Sequence, residues 1–136
     1  MAMQFHVMNN QPLRTNFITR RQSYHGATLG ALGLSGHPAR REYFEGRLNG
    51  ASHISPYYPY RGLKENESDA QYIQRLADEL EAQFQKLGPE TVAAVVLEPV
   101  VGAVSTENLV DQIFERSRKK GRLCLAPWLY NYIPLA

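Results

Sequence analysis

Val92-Ala93-Ala94-Val95-Val96-Leu97 is apolar at all six positions. A strand with one solvated face alternates apolar and polar residues, so an unbroken apolar run points to a parallel strand covered on both faces. The element before it is the best specified in the chain. Ser68 and Gln71 have capping-box spacing, and Asp69 lies in the first turn, where a helix favours an acid. Ile73, Leu76, Ala77, Leu80, Phe84 and Leu87 then recur at helical spacing, with Arg75, Asp78, Glu79, Glu81 and Lys86 on the other face. Gly88-Pro89 closes that helix. Downstream, Ser105 or Thr106 caps a second expected helix, with Leu109, Val110, Ile113 and Phe114 inward and Arg116 to Lys120 at its negative end. Gly121 stops it, and Leu123-Cys124-Leu125 reads as another strand. Strand, helix and strand in this order make a parallel unit with a right-handed crossover as the default. The fold class is therefore α/β, a mostly parallel sheet with flanking helices.

Upstream, Thr15 to Arg21 mixes β-branched and aromatic residues and reads as a strand. Met1 to Leu13 carries weaker signals, resembles the end of a helix, and is broken by Asn9-Asn10-Gln11-Pro12. A short helix is expected from Gly26 to Leu34, although Gly30 and Gly33 each weaken it by up to about 1 kcal/mol relative to alanine. Ser35-Gly36-His37-Pro38 ends it. A short strand is expected around Tyr43 and Phe44, within Arg40 to Leu48. Ser52 to Tyr60 carries two prolines and three tyrosines and reads as irregular.

Composition narrows the function classes. At 136 residues the chain has room for one modest core, and its 43% apolar and 21% charged residues argue against disorder throughout. Arg20-Arg21, Arg40-Arg41 and Arg118-Lys119-Lys120 are short and separated, so no basic stripe favours nucleic acid and the bland reading is solvated surface. No run is long enough for a bilayer helix, and Met1 to Asn10 lacks the pattern of a secretory signal. A single cysteine, Cys124, fits a reducing compartment, with the cytoplasm as the expected location.

Ser23-Tyr24-His25-Gly26 lies at the junction between the first strand and the short helix. An aromatic ring, an imidazole and a glycine at such a junction suit a flat cofactor, stacked on the ring and approached by backbone. By residue type alone, Tyr24 fits a partly buried core tyrosine better than a ring stacker. Glu98, just past the apolar strand, fits a strand-end cap, although burying it unpaired would be costly. His6, His25, His37 and His53 lack metal-ligand spacing, and no metal site is expected. Tyr57, Tyr58 and Tyr60 read as packing and turn residues rather than a base-stacking platform.

Taken in order, Phe17 to Leu32 with Tyr24-His25-Gly26, then Ser55-Pro56-Tyr57, Tyr60-Arg61-Gly62, the helix to Leu87-Gly88-Pro89, and Leu97-Glu98-Pro99-Val100-Val101-Gly102-Ala103 resemble the class III aminotransferases. These are pyridoxal-phosphate enzymes of fold type I. The match runs from about Phe5 to Ala103. It implies a partial three-layer sandwich, part of the large domain, with residues 1–125 as a partial cofactor-binding domain and 126–136 as a tail outside the family pattern. Tyr24 matches the aromatic that stacks on the cofactor's pyridine face, with His25 and Gly26 completing the motif. Glu98 matches the glutamate on the substrate side, which in many members accommodates different substrates through a partner arginine. The implied substrates are small amines, amino acids and keto acids or aldehydes, and full-length relatives are expected to be homodimers.

Other parts of the family pattern find no match. The family's glycine/serine phosphate turn, which precedes the Tyr-His-Gly strand, has no counterpart. Where the family places an aspartate for the pyridinium nitrogen, the chain reads Ala126-Pro127-Trp128. Lys64, Lys86, Lys119 and Lys120 match no Schiff-base lysine, so no catalytic residue is assigned. The expectation is a piece of an aminotransferase that is inactive alone. The competing expectations are a noncatalytic or degenerate paralogue that pairs with a full-length relative, and an unstable product without function.

Overall fold

The computed structural model describes residues 1–98 and, beyond them, three two-residue strands. Helix α1 (Ala2–Met8) leads into strand β1 (Asn16–Arg20), followed by α2 (Leu29–Leu34) and α3 (Pro38–Arg41). A 3-10 turn at Glu42–Arg47 precedes β2 (Ser52–Ile54), α4 (Pro59–Gly62), the long helix α5 (Asp69–Leu87) and β3 (Val92–Val96). The short strands are β4 (Val100–Val101), β5 (Val104–Ser105) and β6 (Cys124–Leu125). One sheet has the order β2-β1-β3-β6 with every neighbouring pair parallel, while β4 and β5 pair antiparallel. With its flanking helices this is a partial α/β sandwich. The second expected helix, and the tail from Ala126 to Ala136, lie outside the described residues.

All five residues of β3 are buried, as its continuous apolar run requires. Helix α5 supplies one cover: Tyr72, Ile73, Leu76, Leu80 and Phe84 pack with Ile18, Ile54, Val92, Val95 and Leu97 in one apolar cluster. Each large side chain buried there contributes about 1.5–3 kcal/mol. The capping box is complete, for Ser68 Oγ accepts from Gln71 N (3.3 Å) and Gln71 Oε1 accepts from Ser68 N (2.8 Å). Helix α1 is tied to the sheet by His6, whose Nε2 donates to the Ala93 carbonyl at 2.7 Å. At the amino ends of the strands, Arg14 Nη1 donates to the Pro89 and Val92 carbonyls, both at 2.9 Å.

Two expectations are corrected. Around Tyr43 and Phe44 the chain is helical and 3-10 rather than extended. Pro38 occupies the first turn of α3, where its missing N–H costs nothing, and Tyr43 is 87% exposed, so no sheet face exists to reward a strand. Within Ser52 to Tyr60, Ser52–Ile54 is a strand paired with Ile18–Arg20, and Pro59 opens α4. The tyrosine-rich segment docks on α5. Tyr57 stacks on Tyr72 at 5.4 Å, and its hydroxyl donates to Asp69 Oδ1 at 2.7 Å. Burial and that carboxylate push the Tyr57 phenol up to about 12.

Removing Phe84, 1% exposed, tests this packing. Phe84→Ala is expected to lose about 3–5 kcal/mol in urea denaturation, and Ser68→Ala about 1 kcal/mol. An unchanged Phe84→Ala midpoint would mean that α5 does not close the core.

Candidate functional site

Ligands of open parallel sheets sit beyond the carboxyl ends of the strands. Here the segments leaving β1 and β3 meet at that edge. Arg20 and Glu98 are 2% and 8% exposed, and Arg20 Nη2 donates to both Glu98 Oε2 (3.1 Å) and the Glu98 carbonyl (3.0 Å). Glu98 Oε1 accepts the backbone N–H of Tyr24 at 2.9 Å. Both carboxylate oxygens are therefore engaged by one short segment. Burial lowers the Arg20 pKa, while the charge and hydrogen bond of Glu98 oppose it. The guanidinium remains charged regardless, and its Nη2 lies 3.1 Å from the carboxylate.

The turn after β1 is held from both sides. Ser23 Oγ donates to the Arg20 carbonyl (2.7 Å), Gln22 N donates to the Gly36 carbonyl (2.9 Å), and Gly36 N returns to the Ser23 carbonyl (3.0 Å). A Cβ on Gly36 would lie 2.2 Å from the Arg20 carbonyl oxygen, so the two segments approach this closely only with glycine. Gly26 has φ +129°, a conformation L side chains rarely adopt, which accounts for the glycine that follows Tyr24-His25. Thr28 then caps α2 by accepting from Ala31 N.

With each of these contacts taken as a hydrogen bond, proton counting assigns the donor nitrogen of His25. Ser23 Oγ spends its single proton on the Arg20 carbonyl, so in its 3.3 Å contact with Thr19 Oγ1 it accepts. Thr19 has then spent its own proton and accepts from His25 Nε2–H at 2.9 Å. This leaves His25 Nδ1 as a buried lone pair with no partner among the described residues. Burial is the main cause lowering the His25 pKa, with Glu98 raising it and Arg20 lowering it further. His25 is a neutral acceptor here. His53, whose Nε2 donates to the Ser35 carbonyl at 3.2 Å, is likewise lowered, chiefly by burial.

The adjacent arginines Arg40 and Arg41 do different things. Arg41 Nη1 donates to the carbonyls of Leu32 (3.2 Å), Gly33 (3.0 Å) and Ser35 (2.7 Å), stapling α3 to the end of α2. Arg40 places its guanidinium 4.5 Å from the centroid of the Tyr24 ring. The structure thus brings Tyr24, His25, Gly26 and Glu98 to one edge of the sheet. Sequence reasoning missed Arg20, Thr19 and Arg40. A signal for Arg20 was present: an arginine at the end of a buried strand needs an acid, and Glu98 ends another. Among the described residues no cluster of His, Cys, Asp and Glu is arranged to hold a metal ion. No described helix is long and apolar enough to cross a membrane.

Comparison with known proteins places the chain. The model of the aminotransferase class-III family matches residues 1–121. A Gibberella zeae aminotransferase is 51% identical, with 76% of this chain covering 21% of that protein. An uncharacterized aminotransferase of Schizosaccharomyces pombe is 39% identical, over 76% of this chain and 23% of its own length. An omega transaminase from Pseudomonas jessenii, solved in complex with PMP, superimposes with a TM-score of 0.84 at 32% identity, covering 92% of this chain and 28% of that one. The chain belongs to the class III aminotransferase family, whose members are in general pyridoxal-phosphate-dependent transferases of fold type I. It spans about a fifth of the length of the curated relatives it matches.

Two outcomes test this geometry. Glu98→Ala strands a buried guanidinium and is expected to cost about 3–5 kcal/mol, most of it recovered in Arg20→Met/Glu98→Leu; equal loss in both variants would mean the pairing is not what matters. For pH, the unfolded chain protonates His25 and His53 near the usual value of about 6.5, above their folded values. Their contribution is complete above about pH 6.5 and is lost as pH falls below it, because the unfolded state binds more protons. Urea midpoints are expected to drop between pH 7.5 and 5, less steeply for His25→Gln; identical profiles would contradict this.

Proposed function

We propose that residues 1–125 are part of the cofactor-binding large domain of an aminotransferase, with residues 126–136 outside the family pattern. In the whole enzyme, an amino group would move from a small amine or amino acid to a keto acid or aldehyde, within a homodimer. The observation that carries this reading is the meeting of Tyr24, His25 and Glu98 at the carboxyl edge of the sheet, in a chain of this family. A reducing compartment, the cytoplasm in the first instance, is proposed from the single cysteine.

The residues fit one side of a pyridoxal-phosphate site. Tyr24 is half-buried with Arg40 over one face of its ring, and a flat partner would stack on the other. The orphaned His25 Nδ1 offers a buried acceptor for a polar edge. When bound, pyridoxal phosphate supplies an electron sink for the bond broken at the substrate carbon. Tyr24 fixes the plane of the stack, and Gly26 keeps the chain in the turn that presents the ring. Glu98 stands on the substrate side, and the arginine it engages in this chain is Arg20.

We assign this chain no catalysis of its own. Lys64, Lys86, Lys119 and Lys120 match no catalytic lysine, and Ala126-Pro127-Trp128 offers no carboxylate for the pyridinium nitrogen. A second reading, a noncatalytic chain that pairs with a full-length aminotransferase, is favoured by the exposure of Met3, Phe5, Val7 and Met8 on α1. A monomer that unfolds cooperatively would remove its basis.

The purified chain, given pyridoxal phosphate, an amine donor and a keto acid, is expected to transfer no amino groups above the protein-free blank. Turnover, together with a stoichiometric borohydride-fixed label on one lysine, would overturn that assignment. Pyridoxamine phosphate, which has no aldehyde to react with surface lysines, is expected to shift NMR signals of Tyr24 and His25. Identical shifts with Tyr24→Ala would sink the cofactor face.

A further inference from the structure

The basic pair Arg40-Arg41 has the look of solvated surface in the sequence, yet its two side chains are spoken for in unlike ways. Arg41 anchors α3 through three carbonyls at the carboxyl end of α2, the end that carries the negative charge of the helix dipole, and it pairs with Glu45 at 2.9 Å. The segment so anchored is itself fastened to the turn that bears Tyr24. Ser35 Oγ accepts from His25 N at 2.9 Å, and Gly36 exchanges backbone hydrogen bonds with Gln22 and Ser23. The segment that carries Arg40 is therefore fastened to the turn that carries Tyr24 by contacts that involve neither side chain. What remains is the guanidinium, set 4.5 Å from the ring centroid, within the range of a cation–π contact.

We propose that Arg40 is a positioning residue for Tyr24: it covers one face of the ring and fixes its plane, so that a single face is offered to a stacking partner. The role extends the cofactor-face reading and rests on it for its purpose, though not for its geometry. A tyrosine ring turns about two torsions, and the Glu98 contact holds only the backbone nitrogen of Tyr24. The guanidinium supplies the restraint on the ring itself. It does so with a planar, weakly hydrated cation, which stacks on an aromatic face in a way that an ammonium reproduces only in charge.

The test uses the full 136-residue chain and two variants, Arg40→Gln and Arg40→Lys. Without ligand, the ring proton and carbon signals of Tyr24 are expected to move toward free tyrosine in Arg40→Gln, with faster ring flipping, and to return part of the way in Arg40→Lys. Signals of Tyr72, packed in the core, should stay in place and report that the variant is folded. Unchanged Tyr24 signals in Arg40→Gln would overturn the proposal. Pyridoxamine phosphate titrations give the second reading. Affinity is expected to fall about two- to fivefold in Arg40→Gln, the span of one exposed cation–π contact, with partial recovery in Arg40→Lys. A ring loosened in Arg40→Gln with unaltered affinity would also count against the role. If Tyr24→Ala binds the probe as the parent does, the cofactor-face reading fails by itself, and the ligand-free ring signals still decide for or against Arg40.

Discussion

A buried carboxylate must find partners or remain uncharged, and in this chain that constraint organises the whole carboxyl edge of the sheet. Glu98 leaves β3 with both oxygens engaged, one by the Arg20 guanidinium at the end of β1 and one by the Tyr24 backbone. Two strands far apart in sequence are thereby joined at their ends, and the turn between β1 and α2 is tied to the end of β3. The ring, the imidazole and the glycine of that turn inherit their placement from an electrostatic necessity.

The neighbouring contacts elaborate the same constraint. Ser23 closes the turn on the Arg20 carbonyl, Gly36 allows a second segment to lie against it, and Ser35 holds the His25 nitrogen. Thr19 receives the His25 Nε2 proton, and the other ring nitrogen has no partner among the described residues. An orphaned buried acceptor beside a half-exposed aromatic ring is an expensive arrangement for a purely structural turn. It is economical for a site that receives a flat polar ligand, and the family to which the chain belongs gives that arrangement a purpose.

Much of this was legible in the sequence. The apolar run at Val92–Leu97 and the capping box at Ser68 declared a parallel strand and its covering helix, because burial on both faces and an N-cap each leave local patterns. The strand expected around Tyr43 failed for a physical reason. Aromatic residues favour strands only where a sheet receives them, and here Arg41 draws the chain into a turn against the end of α2 instead. Strand β2 was missed because it is three residues long and takes its stability from pairing with β1, which no local pattern records. At the site, the Tyr24-His25-Gly26 motif and Glu98 were visible singly. Their contact was not, since it depends on register between strands, and the different tasks of Arg40 and Arg41 depend on tertiary placement alone.

The Glu98 carboxylate holds the backbone of Tyr24, and amide hydrogen exchange at that residue measures the hold directly. In the parent chain the Tyr24 amide is expected to be strongly protected. In Arg20→Met/Glu98→Leu, where the core is kept apolar and packed, that protection should vanish while the amides of Leu76 and Val95 keep theirs. A Tyr24 amide equally protected in both chains would contradict the account, for the turn would then owe its position to something other than the buried pair.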